Sequence, residues 1–132
     1  MRIGLDGLPL SEPKTGIGHY TFELARALAI AAPPDEFELV SPRPFWPAPA
    51  GAGEESLPPN LRMIQAQAGL LNRRWFLLGL PRYIRQRQLA LFHGTNYEAP
   101  LRKICPTVLT IHDLSLLLLP ETHEAARVRR AR

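Results

Sequence analysis

Apolar residues in this chain come in short blocks, and the blocks switch between two periods. Residues 1–6 (MRIGLD) form a brief apolar run ending in an acid, which predicts a buried strand. Gly7, Pro9, Pro13 and Gly16 then mark a long loop, because glycine and proline punctuate regular structure. From Gly16 the period changes. Ile17, Tyr20, Leu24, Ala27 and Leu28 recur at steps of three and four and predict a helix with one apolar face. Thr15 suits its N-cap, since a hydroxyl there can accept from an orphan amide of the first turn. Pro33 and Pro34 end it. Residues 37–40, 61–66, 89–93 and 107–112 read as four further strands. Residues 70–88 read as helical, interrupted by Gly79 and Pro81. Residues 41–60 are rich in Pro, Ala and Gly and predict an extended loop. A last helix is expected from Glu121 or Thr122 to the chain end.

Apolar strands alternating with helices predict an α/β fold: a Rossmann-like open parallel sheet with helices on both faces. The link between the fourth and fifth strands fits this pattern least, because it is short and contains Pro and Asn. In such sheets ligands bind beyond the carboxyl ends of the strands. Those ends are Asp6 with its loop, Ser41, the run His93-Gly94-Thr95-Asn96, and His112-Asp113.

Composition narrows the setting. At 132 residues the chain is one small domain. The formal net charge is +4, from 16 basic and 12 acidic residues, and only Lys14 and Lys103 among the basic ones are lysine. Arginine suits phosphate because its planar fork donates two hydrogen bonds at once. Cys105 is the only cysteine, so an intrachain disulfide and a cysteine zinc cluster are excluded and a reducing cytosol is expected. His19, His93, His112 and His123 have no close helical spacing, and no metal site is expected. No charged leader precedes an apolar run, and no apolar run approaches the ~20 residues that span a bilayer.

Four segments could carry chemistry. The first ends Thr15-Gly16-Ile17-Gly18, a glycine turn at a helix start, which presents bare amides and a positive dipole end to an anion. It can equally be a plain loop into the helix. Thr21 stands where a dinucleotide fingerprint has its third glycine, and Ser41-Pro42 follows the second strand where an acid would hold a ribose, so nicotinamide is disfavoured. The second is His93-Gly94-Thr95-Asn96-Tyr97, where His93 and Asn96 either meet sugar hydroxyls or phosphate oxygens, or Asn96 caps its own turn. The third is His112-Asp113 at the end of an inner strand: the imidazole faces the cleft or is structural, and Asp113 orients it or caps the next turn. The fourth is residues 72–88 (NRRWFLLGLPRYIRQRQ). Arg73, Arg74, Arg82 and Arg85 beside Trp75 suit an anionic membrane surface, and a core helix with an arginine-rich solvent face explains them as well.

Together MRIGLDGLPL, KTGIGHYTFELARAL, LFHGTNYEAPL, TVLTIHDLS and PETHEAARVRRAR resemble the N-terminal domain of family 4 glycosyltransferases, retaining enzymes of the GT-B fold. The match runs from Met1 to Arg132 and is loose over residues 41–88. The resemblance implies an acceptor-side domain facing a second Rossmann-like domain that binds a nucleotide-sugar. It implies that Gly16, Ile17 and Gly18 approach the donor diphosphate, and that His112 approaches the transferred sugar in an orienting role. It also implies that His93, Asn96 and Asp113 bind donor phosphate or acceptor. No metal or cofactor is implied; the nucleotide-sugar is substrate. The acceptor would be a glycan or lipid-linked sugar of the cell envelope. The setting would be cytoplasmic, with peripheral contact at the inner face of an anionic membrane, and no nucleic acid. The family's paired Glu-x7-Glu belongs to the second domain and is absent here. Residues 1–132 are therefore expected to be an acceptor domain incomplete at its C-terminus, inactive alone. The alternative is a non-catalytic module with a basic surface for anionic membrane or nucleic acid.

Overall fold

The computed structural model describes residues 1–13, 15–46, 57–67, 69–118 and 121. Five strands are described: β1 (Arg2–Asp6), β2 (Glu36–Ser41), β3 (Leu61–Gln65), β4 (Leu91–Gly94) and β5 (Thr107–Leu109). They form one sheet in the order β3-β2-β1-β4-β5, and every pair is parallel. The opening strand therefore lies in the middle, where its apolar residues are covered on both faces. The expected open parallel α/β sheet of Rossmann type is what the chain forms. Residues 95–106, between β4 and β5, make an irregular crossover of the dozen residues a parallel return requires.

Helices α1 (Gly16–Ala31) and α2 (Leu80–Arg87) cover opposite faces. Leu5, Phe37, Leu39 and Leu61 pack with Ala25 and Ala29 of α1. Val40 and Phe92 pack with Trp75, Leu80, Tyr83 and Ile84 on the α2 side.

The buried face of α1 differs from the expected one. Gly18, Thr21, Ala25 and Ala29 are buried, whereas Tyr20 and Ala27 are exposed. Small side chains let the helix axis approach the sheet closely. The larger Phe22, Leu24 and Leu28 then wedge in along the flanks, half-buried. Thr15 occupies the N-cap position and its carbonyl accepts from the His19 amide at 2.9 Å, but its hydroxyl makes no capping bond.

The second helical stretch is three short pieces. A 3-10 turn (Gly69–Arg74) leads into a π turn (Trp75–Gly79) and then α2. Proline explains the wide turn. Pro81 lacks an amide hydrogen, and its ring would strike the carbonyl four residues back in a regular helix. The Leu80 amide reaches the Trp75 carbonyl instead, five residues back. At the far end Gln88 takes a left-handed conformation (φ 54°) that stops α2.

A buried carboxylate ties α2 to the sheet. Glu38 on β2 is 2 % exposed. It accepts from the Tyr83 hydroxyl at 2.7 Å, is paired with Arg87, and has Arg2 at 3.6 Å. Burial and the bond to Glu38 push the Tyr83 phenol far above its ordinary pKa.

The last two strands depart most from the ranges the sequence suggested. Leu89 is spent on the helix end, its amide donating to the Ile84 carbonyl, so β4 begins at Leu91. β5 stops at Leu109, and it is the outermost described strand rather than an inner one. A short helix, α3 (Ser115–Leu118), follows it. The helix expected near residue 121 falls almost wholly outside the described residues, as do residues 47–56 of the expected long loop.

Candidate functional site

Two clefts open at opposite ends of the sheet. The larger, ≈ 390 Å³, lies where the strands begin, beside Asp35, Glu36 and Asn60. Its central amide is already used: Asn60 Nδ2 donates to the carbonyls of Ala29, Ala32 and Asp35 at 3.0, 3.3 and 2.9 Å. The smaller, ≈ 240 Å³, lies at the carboxyl end of β1, bordered by Asp6, Thr15, Ile17, Arg43, Asn96 and Glu98. Leu8, Pro9 and Pro13 give it apolar walls. Strand-end position and the unpaired Asn96 Oδ1 single out the smaller cleft.

Asp6 is the last residue of β1 and is 2 % exposed. Its Oδ1 accepts from the Leu8 amide at 3.1 Å. Burial raises its carboxyl pKa to about 7; the Leu8 bond opposes this, and the nearby Glu98 carboxylate adds to it.

The turn after β4 forms the opposite wall. A side chain at Gly94 would sit 2.1 Å from the Glu98 carbonyl, so only glycine lets the chain fold back this tightly. Tyr97 takes a left-handed conformation (φ 59°) in the same turn. Asn96 Oδ1 is buried there without a hydrogen-bond partner. Asn96 thus does not cap its turn through that oxygen.

Thr95, fully buried, links the parts. Its hydroxyl donates to the Asp6 carbonyl at 2.9 Å and accepts from Thr21 of α1 at 3.1 Å. Its carbonyl receives Nε2 of His112 at 2.8 Å. A carbonyl only accepts, so Nε2 carries the hydrogen and neutral His112 keeps its lone pair on Nδ1. The ring stands edge-on to Tyr20, with centroids 4.9 Å apart, and at 5.9 Å from Tyr97. Thr110 joins the neighbouring pair, with His93 Nε2 at 2.8 Å and the Tyr20 hydroxyl at 3.2 Å. Burial lowers the His93 pKa.

The structure gathers some of the residues expected from sequence and separates others. The glycine turn and His112 do share one rim, joined through Tyr20, one turn into α1. Ile17 and Asn96 border the cleft. Gly16 is exposed, and a side chain there would meet nothing within 4 Å. Gly18 is buried on the core side of α1 and is not presented to the cleft. His93 is half-buried against Thr110. Asp113 caps the next turn: its carboxylate accepts from the Ser115 amide at 2.7 Å and the Ser115 hydroxyl at 2.6 Å. Asp6 and Thr95 lie at strand ends marked from the sequence but were given no role there, Tyr20 was read only as part of the apolar face of α1, and Thr110 only as a strand residue.

The arginine-rich segment divides as well. Arg73, Arg74, Arg82 and Arg85 are exposed. Trp75 is 5 % exposed and packs against Tyr83 in the α2 core, so it is not offered to a membrane surface. No described helix is long and apolar enough to cross a membrane. Among the described residues, no three metal-ligating side chains gather.

Fold and site thus define an α/β unit of Rossmann type with a polar cleft at the carboxyl rim of its central strands. No family model and no solved structure matches the chain. Among curated proteins it is similar to O-antigen chain mannosyltransferase B of Escherichia coli, 29% identical over 141 aligned residues. The likeness covers 98% of this chain and 36% of that protein, so the chain spans about a third of its relative's length.

Proposed function

We propose that this chain is the acceptor-side domain of a retaining, family 4 type glycosyltransferase with the GT-B fold. It would move a sugar from a nucleotide-sugar to a glycan or lipid-linked acceptor of the cell envelope. The observation that carries this reading is the likeness to a mannosyltransferase across almost the whole chain. The rim geometry supports it. Gly16, at the first turn of α1, leaves bare amides and open space for a diphosphate at the positive end of a 16-residue helix. His112 is held by the Thr95 carbonyl in one tautomer when neutral, which leaves the lone pair on Nδ1. In this scheme oriented amides and cations stabilise the charge that develops on the leaving diphosphate, the largest part of such a barrier. His112 orients the transferred sugar. The exposed Arg73, Arg74, Arg82 and Arg85 lie against anionic headgroups, without help from Trp75.

The test is transfer from a panel of nucleotide-sugars to a lipid-linked acceptor, using the chain alone and the chain with whatever reading frame follows codon 132. Turnover is expected only from a longer frame encoding a second Rossmann-like domain. Turnover by the 132-residue chain itself would refute the acceptor-side assignment. The second reading, a basic binding module, predicts instead salt-sensitive binding to anionic vesicles without sugar specificity.

A further inference from the structure

His112 lies past the end of β5, in irregular backbone, and its side chain is exposed. Among the described residues, Thr110 is the last before it with bonded backbone groups. The Thr110 amide donates to the Gly94 carbonyl at 2.8 Å, and its carbonyl accepts from the Tyr97 amide at 3.1 Å. Beyond that point the imidazole has one described hydrogen bond, from Nε2 to the Thr95 carbonyl. One neutral hydrogen bond on an exposed ring is worth about a 5-fold preference, which does not fix a ring. Aromatic contacts supply the rest. The nearer is Tyr20, perpendicular to the imidazole at 4.9 Å, an edge-to-face arrangement that aromatic rings favour.

Tyr20 itself needs holding. It stands on the exposed side of α1 and belongs to neither apolar cluster of the core. What ties its tip is Thr110 Oγ1, 3.2 Å from the phenol oxygen and 2.8 Å from Nε2 of His93. A threonine hydroxyl has one hydrogen and two lone pairs. If His93 Nε2 is bare, Thr110 donates to it and accepts from Tyr20. If Nε2 carries a hydrogen, Thr110 accepts from it and donates to Tyr20. Both bonds survive in either case, so the phenol stays moored whatever the proton state of His93.

We infer that Tyr20 is a positioning residue for His112: moored to Thr110, its ring holds the imidazole so that Nε2 stays on the Thr95 carbonyl and Nδ1 keeps the lone pair. A part in sugar transfer rests on the glycosyltransferase reading; the holding of the ring does not. Thr110 is the hub, because its backbone is stitched to the turn after β4 while its side chain reaches α1.

The whole 132-residue chain is labelled with 15N-histidine and compared with its variants at pH 8.5, where an ordinary imidazole is neutral. Two-bond 15N–1H correlation reads the tautomer of each ring, and His112→Gln assigns the His112 signals. The parent's His112 is expected in the Nε2–H form. Tyr20→Phe and Thr110→Val each lower that preference about 5-fold, the scale of one net hydrogen bond. The double variant lowers it no further, since both changes break the same link. Thr110→Ser keeps the hydroxyl and restores the parent spectrum. A merely structural role for Tyr20 would move the melting temperature and leave the His112 tautomer alone. The inference is overturned if the parent's His112 is mixed, or if either Tyr20→Phe or Thr110→Val keeps the parent ratio. It is overturned equally if the two effects add, or if Thr110→Ser behaves like Thr110→Val. The broader reading is judged apart, by transfer in the longer frame. A held ring without such transfer keeps this inference and removes the enzyme, whereas transfer with an unchanged tautomer in the variants removes this inference alone.

Discussion

At the scale of single residues, the cleft holds a carboxyl under strain. Asp6 has a pKa of about 7 in the folded chain against 3.8 for an unperturbed aspartate. The folded state therefore keeps a proton that the unfolded state releases. Below about pH 4 both states are protonated and there is no penalty. Stability falls as pH rises from about 4 to 7, by roughly 4 kcal/mol at most, and is level above that. Asp6→Asn removes the ionisation, so it should raise the melting temperature at pH 8 and leave it nearly unchanged at pH 4. Equal shifts at both values would rule out this account. Thr95 makes the opposite case. Thr95→Val leaves the Thr21 hydroxyl and the Asp6 carbonyl unpaired in a dry site, at a cost of about 1–3 kcal/mol. Thr95→Ser should restore most of this in a denaturant melt. A Ser variant as weak as Val would show that the methyl, and not the hydroxyl, matters.

At the scale of elements, the helices and strands were legible because their apolar periods are plain. Which face of α1 is buried was not. Large apolar residues mark a face only when the helix stands off from its partner. Here Gly18, Thr21, Ala25 and Ala29 bring it close, and the large residues are displaced to the flanks. Ala25→Leu should consequently cost about 1–3 kcal/mol through overpacking. Ala27→Leu, on the exposed side, should stay within ~0.5 kcal/mol. Matching losses from the two in urea titrations would contradict the helix orientation. On the other face, Arg87→Ala leaves Glu38 buried with only Tyr83 and the more distant Arg2. The expected loss is about 2–3 kcal/mol, less than for a fully enclosed pair because the Arg87 side chain is 38% exposed. Retention of full stability in Arg87→Ala would show that Tyr83 alone satisfies that carboxylate. The π turn before α2 was half-legible: Gly79 and Pro81 signalled an interruption, but only the missing amide of Pro81 explains its wide form.

At the scale of the molecule, the parallel sheet and the rim that carries the smaller cleft followed from strand and helix alternation. What the sequence did not yield were contacts that depend on three segments meeting at once. Thr95 reads as an ordinary turn residue until Thr21, Asp6 and His112 arrive around it. Trp75 reads as interfacial until Tyr83 and the sheet enclose it. The strand order has a consequence for biosynthesis. Since β1 lies in the middle of the sheet, it is translated before both of the strands that must flank it. It gains β2 early, but its second neighbour, β4, is not translated until Leu91–Gly94. During that interval an apolar edge stands open to any nascent or finished chain nearby. Slow translation over the intervening stretch should therefore lower soluble yield, and holding chaperones should recover it.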